Sequence, residues 1–75
     1  MSRTVQLTAV IEREGDGYVA VCPQLDIASE GDTVDEARAM LIDALRGWFE
    51  TASEDEIARS IPTEILIESL ELSVG

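Results

Sequence analysis

The hydrophobic period of this chain changes once, at Gly31-Asp32-Thr33-Val34-Asp35-Glu36, and that change sets the order of its elements. Before it, Val5, Leu7, Ala9 and Ile11 alternate with Thr4, Gln6, Thr8 and Glu12, the spacing of two that places successive side chains on opposite faces of a strand. Val10 alone interrupts the polar side. After it, Val34, Ala37, Leu41, Ala44, Leu45 and Trp48 form one stripe at helical spacing, with Asp35, Glu36, Asp43, Arg46 and Glu50 opposite. The pattern predicts a sheet that hands over to an amphipathic helix of about five turns.

Local signals mark each boundary. Glu14-Gly15-Asp16-Gly17 offers two glycines able to take positive φ, which predicts a hairpin between a first strand, Thr4 to Glu12, and a second, Tyr18 to Cys22. Pro23 cannot donate to a ladder and ends the second strand, and Leu25 to Ser29 supplies a short third one. Gly31 gives the backbone freedom at the strand exit. Thr33 and Glu36 have the spacing of a capping box, and Asp32, Asp35 and Glu36 suit the positive end of the helix dipole. Ser53 with Glu56 repeats the capping signal, so a second, short helix is expected over Glu54 to Ser60, stopped by Pro62.

A last strand is expected from about Thr63 to Val74. Ile65 and Ile67 share one phase there, while Leu70, Leu72 and Val74 share the other, which calls for a bulge near Glu68 and Ser69 or for burial of both faces. The expected fold class is α+β: a small antiparallel sheet of three strands, one long helix and a C-terminal strand, in one domain over residues 1–75. One helix covers one face of a sheet, yet Val10, Tyr18, Ala20, Cys22, Ala28 and Leu66 suggest apolar character on the other. A homodimer or higher oligomer, joined through the helix-free face or the final strand, is therefore expected, since so short a chain gains stability from a second copy.

Charge narrows the choice of partners. Sixteen acidic residues against five arginines and no lysine give a net charge of -11, which repels phosphate backbones and favours a basic protein. No apolar run reaches the roughly 18 residues of a membrane span, and MSRTVQLTAV lacks the basic start and apolar stretch of a signal peptide, so the cytoplasm is the expected compartment. With one cysteine and no histidine, no metal site and no cofactor are expected.

The side chains able to do chemistry have structural duties as well. Asp16, Asp26, Asp32 and Asp35 are the candidate metal-holding carboxylates of a nuclease, but they sit in a turn, on a strand and at a helix start. Cys22 has no histidine to activate it, and acidic, apolar surroundings keep its thiol protonated. No catalytic residue is assigned. Trp48 falls on the helix stripe and reads as core, whereas Tyr18, beside the hairpin turn, reads as a partner anchor. Glu12, Glu14, Asp16, Asp26, Glu30 and Asp32 come from the hairpin and the strand leading to the helix, and are expected to form one acidic rim that meets a basic partner.

With these elements in order, VIEREGDGYVAVCPQLDIASEGDTVDEARAMLIDAL, residues 10–45, resembles the N-terminal domain of HicB-like antitoxins. The resemblance rests on Gly-Tyr-Val-Ala, Cys-Pro-x-Leu and Gly-Asp-Thr-x-x-Glu-Ala at their present spacings, with Gly15, Gly17, Pro23, Gly31, Thr33 and Glu36 as the signature positions. It implies a β-β-β-α-β fold with a truncated ribonuclease H or double-stranded RNA-binding layout. It also implies an antitoxin of a type II toxin-antitoxin system, which neutralises a small basic HicA-like, mRNA-cleaving toxin by protein contact. Many members carry a further DNA-binding segment, and many have a Pro-Gly-Cys-like sequence where this chain has Leu25-Asp26-Ile27. Two other functions remain: a stand-alone oligomeric interaction module of the same fold, and a metal-dependent nuclease.

Overall fold

A computed structural model describes residues 5–61 and 66–75. Strands β1 (Val10–Glu14), β2 (Gly17–Cys22) and β3 (Ile27–Gly31) form an antiparallel sheet in the order β1-β2-β3, followed by helices α1 (Val34–Thr51) and α2 (Glu54–Ser60). The α+β class, the three strands, the long helix and the short one are as the sequence predicts.

The hairpin turn sets the phase of the sheet. Glu14 pairs with Gly17 across Gly15 and Asp16, and only Gly15 takes positive φ, at 59°, the pattern of a turn with glycine at its first central position. Gly17 keeps an ordinary φ. In this register Ile11 stands opposite Ala20, and Ala20 opposite Ser29, so Ile11, Ala20 and Ser29 share a face, as do Cys22 and Ile27. That face carries the core: Ala20, Cys22, Ala37 and Leu41 are buried, with Leu7, Ile11, Tyr18, Leu25, Ile27 and Leu45 packed round them. Tyr18, Ala20 and Cys22 therefore point to the helix, not away from it as the composition of the strand suggested. Val10, Val19, Val21 and Ala28 line the helix-free face, where Glu12 and Glu30 flank Val19.

The first and third strands begin later than expected for one reason, the 23–26 turn, and they run on to Glu14 and Gly31, past the expected Glu12 and Ser29. Pro23 ends β2 at Cys22, so residues 5–9 find no ladder partner and β1 begins at Val10. The Gln24 side chain serves them instead: the Thr8 N–H donates to its Oε1 (3.2 Å) and its Nε2 donates to Thr8 Oγ1 (2.9 Å). The Leu25 N–H donates to the Cys22 carbonyl at 3.3 Å and Asp26 takes φ 55°, so β3 starts at Ile27. Thr4 lies outside the described residues.

At the sheet-to-helix switch, Thr33 Oγ1 accepts the Glu36 N–H at 3.0 Å, one half of the expected capping box, whereas Ser53 and Glu56 complete both halves at the start of α2. Gly31 is needed for close approach and not for positive φ. A Cβ there would lie 2.6 Å from the Ala37 nitrogen and 2.8 Å from Glu36 Cγ, so the first turn of α1 rests directly on β3. From that point α1 runs back antiparallel to β3, with Ser29 Oγ donating to the Met40 carbonyl at 3.3 Å. It lies mainly over β3 and β2 and scarcely touches β1. Trp48 is half-buried and meets Phe49 edge to face, with ring centroids 4.9 Å apart.

The expected final strand lies partly outside the described residues, at 63–65. Residues 66–75 form no strand, and every one of them is exposed, Leu70 by 88%. A strand holds its backbone by pairing, and within a single chain this segment has no ladder. Leu66, expected on the helix-free sheet face, is 74% exposed.

Candidate functional site

The sheet has two ends, and the expected rim divides between them. At one end the hairpin tip, the exit of β3 and the first turn of α1 converge, because Tyr18 pairs with Gly31 and the helix begins three residues later. There Glu14, Tyr18, Glu30, Asp32 and Glu36 surround a cleft of about 420 Å³. The four carboxylates come from β1, β3, the β3–α1 link and α1, with Glu14 and Glu30 on the helix-free side of the sheet end and Glu36 on the helix side. Asp16 stands exposed at the hairpin tip beside it, and Glu12 lies in the same cross-strand row as Glu30, with Val19 between them on the helix-free face.

Asp26 does not join them. It belongs to the turn at the opposite end, beyond the Cys22–Ile27 pair, four residue steps along β2 from the cleft, or about 13 Å at the usual strand rise. The sequence places it on the third strand, but that strand begins two residues later than expected, at Ile27, which leaves Asp26 in the turn. Glu36 is the residue that sequence reasoning placed elsewhere, as half of a cap. Its stem lies over Gly31, which turns its carboxylate to the cleft. The signal was present in the five residues that separate Gly31 from Ala37, since a helix starting on a glycine brings its first-turn side chains over the strand end.

Tyr18 is half-buried, its ring under the Arg13 guanidinium, whose carbon stands 5.7 Å from the ring centroid. It borders the cleft and the core together, on the helix side of the sheet end. Such an arrangement accepts hydrogen bonds from arginine and lysine heads, and the carboxylates make it attractive to cations from a distance. It contains no nucleophile beside a base. Cys22 is fully buried in the core, away from this end, with its thiol directed at Gln24 Oε1 (3.4 Å). No group of three or more Cys, Asp or Glu side chains among the described residues is arranged to hold a metal ion.

A second concavity lies on the other flank. Val5 and Leu7 on one side, Ile42, Leu45 and Phe49 of α1 on the other, and Ile57 of α2 at one end enclose a groove of about 940 Å³. Its lining is mostly apolar, with Arg38 and Arg46 on the helix side. No helix among the described residues is long and apolar enough to cross a membrane.

Comparison with known proteins adds one relative. Over 67 residues the chain is 42% identical to a UPF0150 protein of Synechocystis sp., a match that covers 87% of this chain and 92% of that one. No family model matches the chain, and no solved structure does.

Proposed function

The chain belongs to the UPF0150 family, and on that footing we propose that it is an antitoxin-like protein that binds a small basic HicA-like ribonuclease and blocks it by contact. The observation that carries this reading is the cleft at the helix-start end of the sheet, which Glu14, Glu30, Asp32 and Glu36 border together with Tyr18. The resemblance of residues 10–45 to HicB-like antitoxins supports it, and so does a net charge of -11, which speeds encounter with a basic partner and disfavours RNA itself.

In this reading the carboxylates take the arginine and lysine heads of the toxin, and Tyr18, at the border of the cleft, adds an aromatic contact. Glu12 and Asp16 widen the negative field around the contact, and Asp26 takes no part. The chain neutralises by occupying the RNA-binding surface of the enzyme and performs no chemistry itself.

The test is co-expression with the product of the adjacent open reading frame, which this reading expects to be a small basic protein. The parent chain restores growth, and the double reversal Glu14→Lys with Glu30→Lys, on two exposed or strand-edge positions outside the core, does not. Growth arrest that is equally relieved by parent and reversed chains excludes the cleft as the contact. A neighbouring protein that arrests nothing leaves the chain without a toxin and favours the assembly-module reading, for which the exposed apolar side chains of residues 66–75 are the supporting observation.

A further inference from the structure

The face of the sheet that α1 leaves uncovered has an order of its own. Along β2 it presents Val19 and Val21, both half-buried, with Val10 of β1 and Ala28 of β3 on either side of Val21. Glu12 and Glu30 stand on either side of Val19, and Glu14 follows Glu12 along β1. The central strand thus carries an apolar strip whose flanks are apolar at one end and acidic at the other. No basic side chain of the three strands shares this face, because Arg13 pairs with Tyr18 on the opposite one and holds its guanidinium over the Tyr18 ring. Glu12, Glu14 and Glu30 are exposed and form no ion pair with a described residue.

We propose that a basic amphipathic helix of a partner protein lies along β2 on this face, with its apolar stripe on Val19 and Val21 and its lysine or arginine heads on Glu12, Glu14 and Glu30. Charge selects that occupant. A second copy laid face to face would set these carboxylates against their own counterparts, and a nucleic acid would bring phosphates to them. The dimensions suit a helix as well. Glu12 and Glu14 are two residues apart on one strand, about 6.7 Å, which matches the roughly 6 Å between positions i and i+4 of a helix. Glu12 and Glu30 stand two strand spacings apart, about 9–10 Å, which is about the width of one helix. A helix aligned with β2 therefore rests its stripe between the two acidic flanks and meets a carboxylate on each side. This contact deepens the toxin-binding reading and rests on it for the sign of the partner's charge. Glu14, Val19 and Glu30 also border the acidic cleft, so the face and the cleft make one continuous surface, whereas Glu12 and Val21 belong to the face alone.

The experiment titrates the full chain with a synthetic helical peptide, leucines on one stripe and lysines on both sides of it, and follows the backbone amides by NMR. Shifts are expected at Val10, Glu12, Val19, Val21, Ala28 and Glu30. Glu12→Lys, on an exposed position away from the cleft, and Val19→Lys, which sets a lysine between Glu12 and Glu30, are each expected to weaken binding about tenfold with unchanged circular dichroism. Asp43→Lys with Glu50→Lys, on the exposed side of α1, is the charge control: it changes the net charge by four where Glu12→Lys changes it by two, yet it is expected to weaken binding less than about threefold. Shifts centred instead on Leu45, Phe49 and Ile57, an equal loss in the charge control, or no binding of the peptide would each overturn the inference. Its failure and that of the toxin reading are distinct. A peptide that seats on the face while the adjacent gene product arrests no growth removes the toxin and leaves the face, and rescue of growth by a chain whose face the peptide does not touch does the reverse.

Discussion

Replacing Gly31 by alanine puts a methyl group where the first turn of α1 already stands. The added carbon would lie 2.6 Å from the Ala37 nitrogen, 2.8 Å from Glu36 Cγ and 2.9 Å from the Glu36 carbonyl carbon. The Glu36 stem can rotate away, but the other two contacts are helix backbone, so α1 must retreat by most of an ångström or β3 must twist. Overpacking of this kind costs about 1–3 kcal/mol. The smaller conformational freedom of alanine in the unfolded chain returns about 0.4–1 kcal/mol, which leaves a net loss of about 1–2 kcal/mol. In a domain of this size each kcal/mol moves Tm by about 4–8 °C, so Gly31→Ala lowers Tm by roughly 5–15 °C on this bookkeeping. Gly47 supplies the internal comparison: it lies inside α1 with nothing within 4 Å of an added Cβ, and alanine there should raise stability by about 1 kcal/mol through helix propensity. Thermal unfolding followed by circular dichroism, at one protomer concentration for all three chains, separates the two effects. A Gly31→Ala chain as stable as the parent, alongside a stabilised Gly47→Ala chain, would refute the direct seating of α1 on β3.

Three further perturbations follow from the packing. Leu41 is the largest side chain in a core of four buried residues, and Leu41→Ala should cost about 2–5 kcal/mol out of a total stability of about 4–11 kcal/mol for a chain of this length; chemical denaturation should show the midpoint moved to lower denaturant with an unchanged slope, and an unchanged midpoint would contradict the burial. Gln24→Ala removes both bonds to Thr8 and should cost about 1–2 kcal/mol, with amide exchange at Thr8 rising to the rate of an open segment. Thr33→Ala and Ser53→Ala each remove a cap worth about 1 kcal/mol, yet only the first should lower global Tm, because α1 carries buried residues and α2 carries none; equal effects on Tm would contradict that separation.

What could be read before the structure depended on local chemistry. Ser53 and Glu56 located α2 to the residue, and the stripe through Ala37 and Leu41 located the buried face of α1, because caps and helical spacing act over one or two turns. The facing of β2 was legible in principle. A two-residue turn at Gly15 and Asp16 pairs odd-numbered positions of the first strand with even-numbered positions of the second, which puts Ala20 and Cys22 beside Ile11 in the core. Reading the strand by composition instead sent them to the wrong face. The side-chain clip of Gln24 on Thr8 spans sixteen positions and leaves no periodic trace. The acidic rim was half legible for the same reason: Glu14, Glu30 and Asp32 follow from the hairpin register, whereas Asp26 fell to the far end once the 23–26 turn lengthened, and Glu36 joined only because α1 starts on top of Gly31.

The claim that matters most is that this chain works by presenting the acidic cleft around Tyr18 to a basic protein. Calorimetric titration of a small basic HicA-like protein into the parent chain and into the Glu14→Lys, Glu30→Lys chain, at low salt and again at about 0.3 M, tests it directly, since surface charge pairs are screened within about 10 Å at ordinary ionic strength. The account predicts tight binding by the parent that weakens as salt rises, and binding at least about tenfold weaker, with a smaller salt dependence, once the two charges are reversed. Equal affinity of the two chains at both salt concentrations would contradict it.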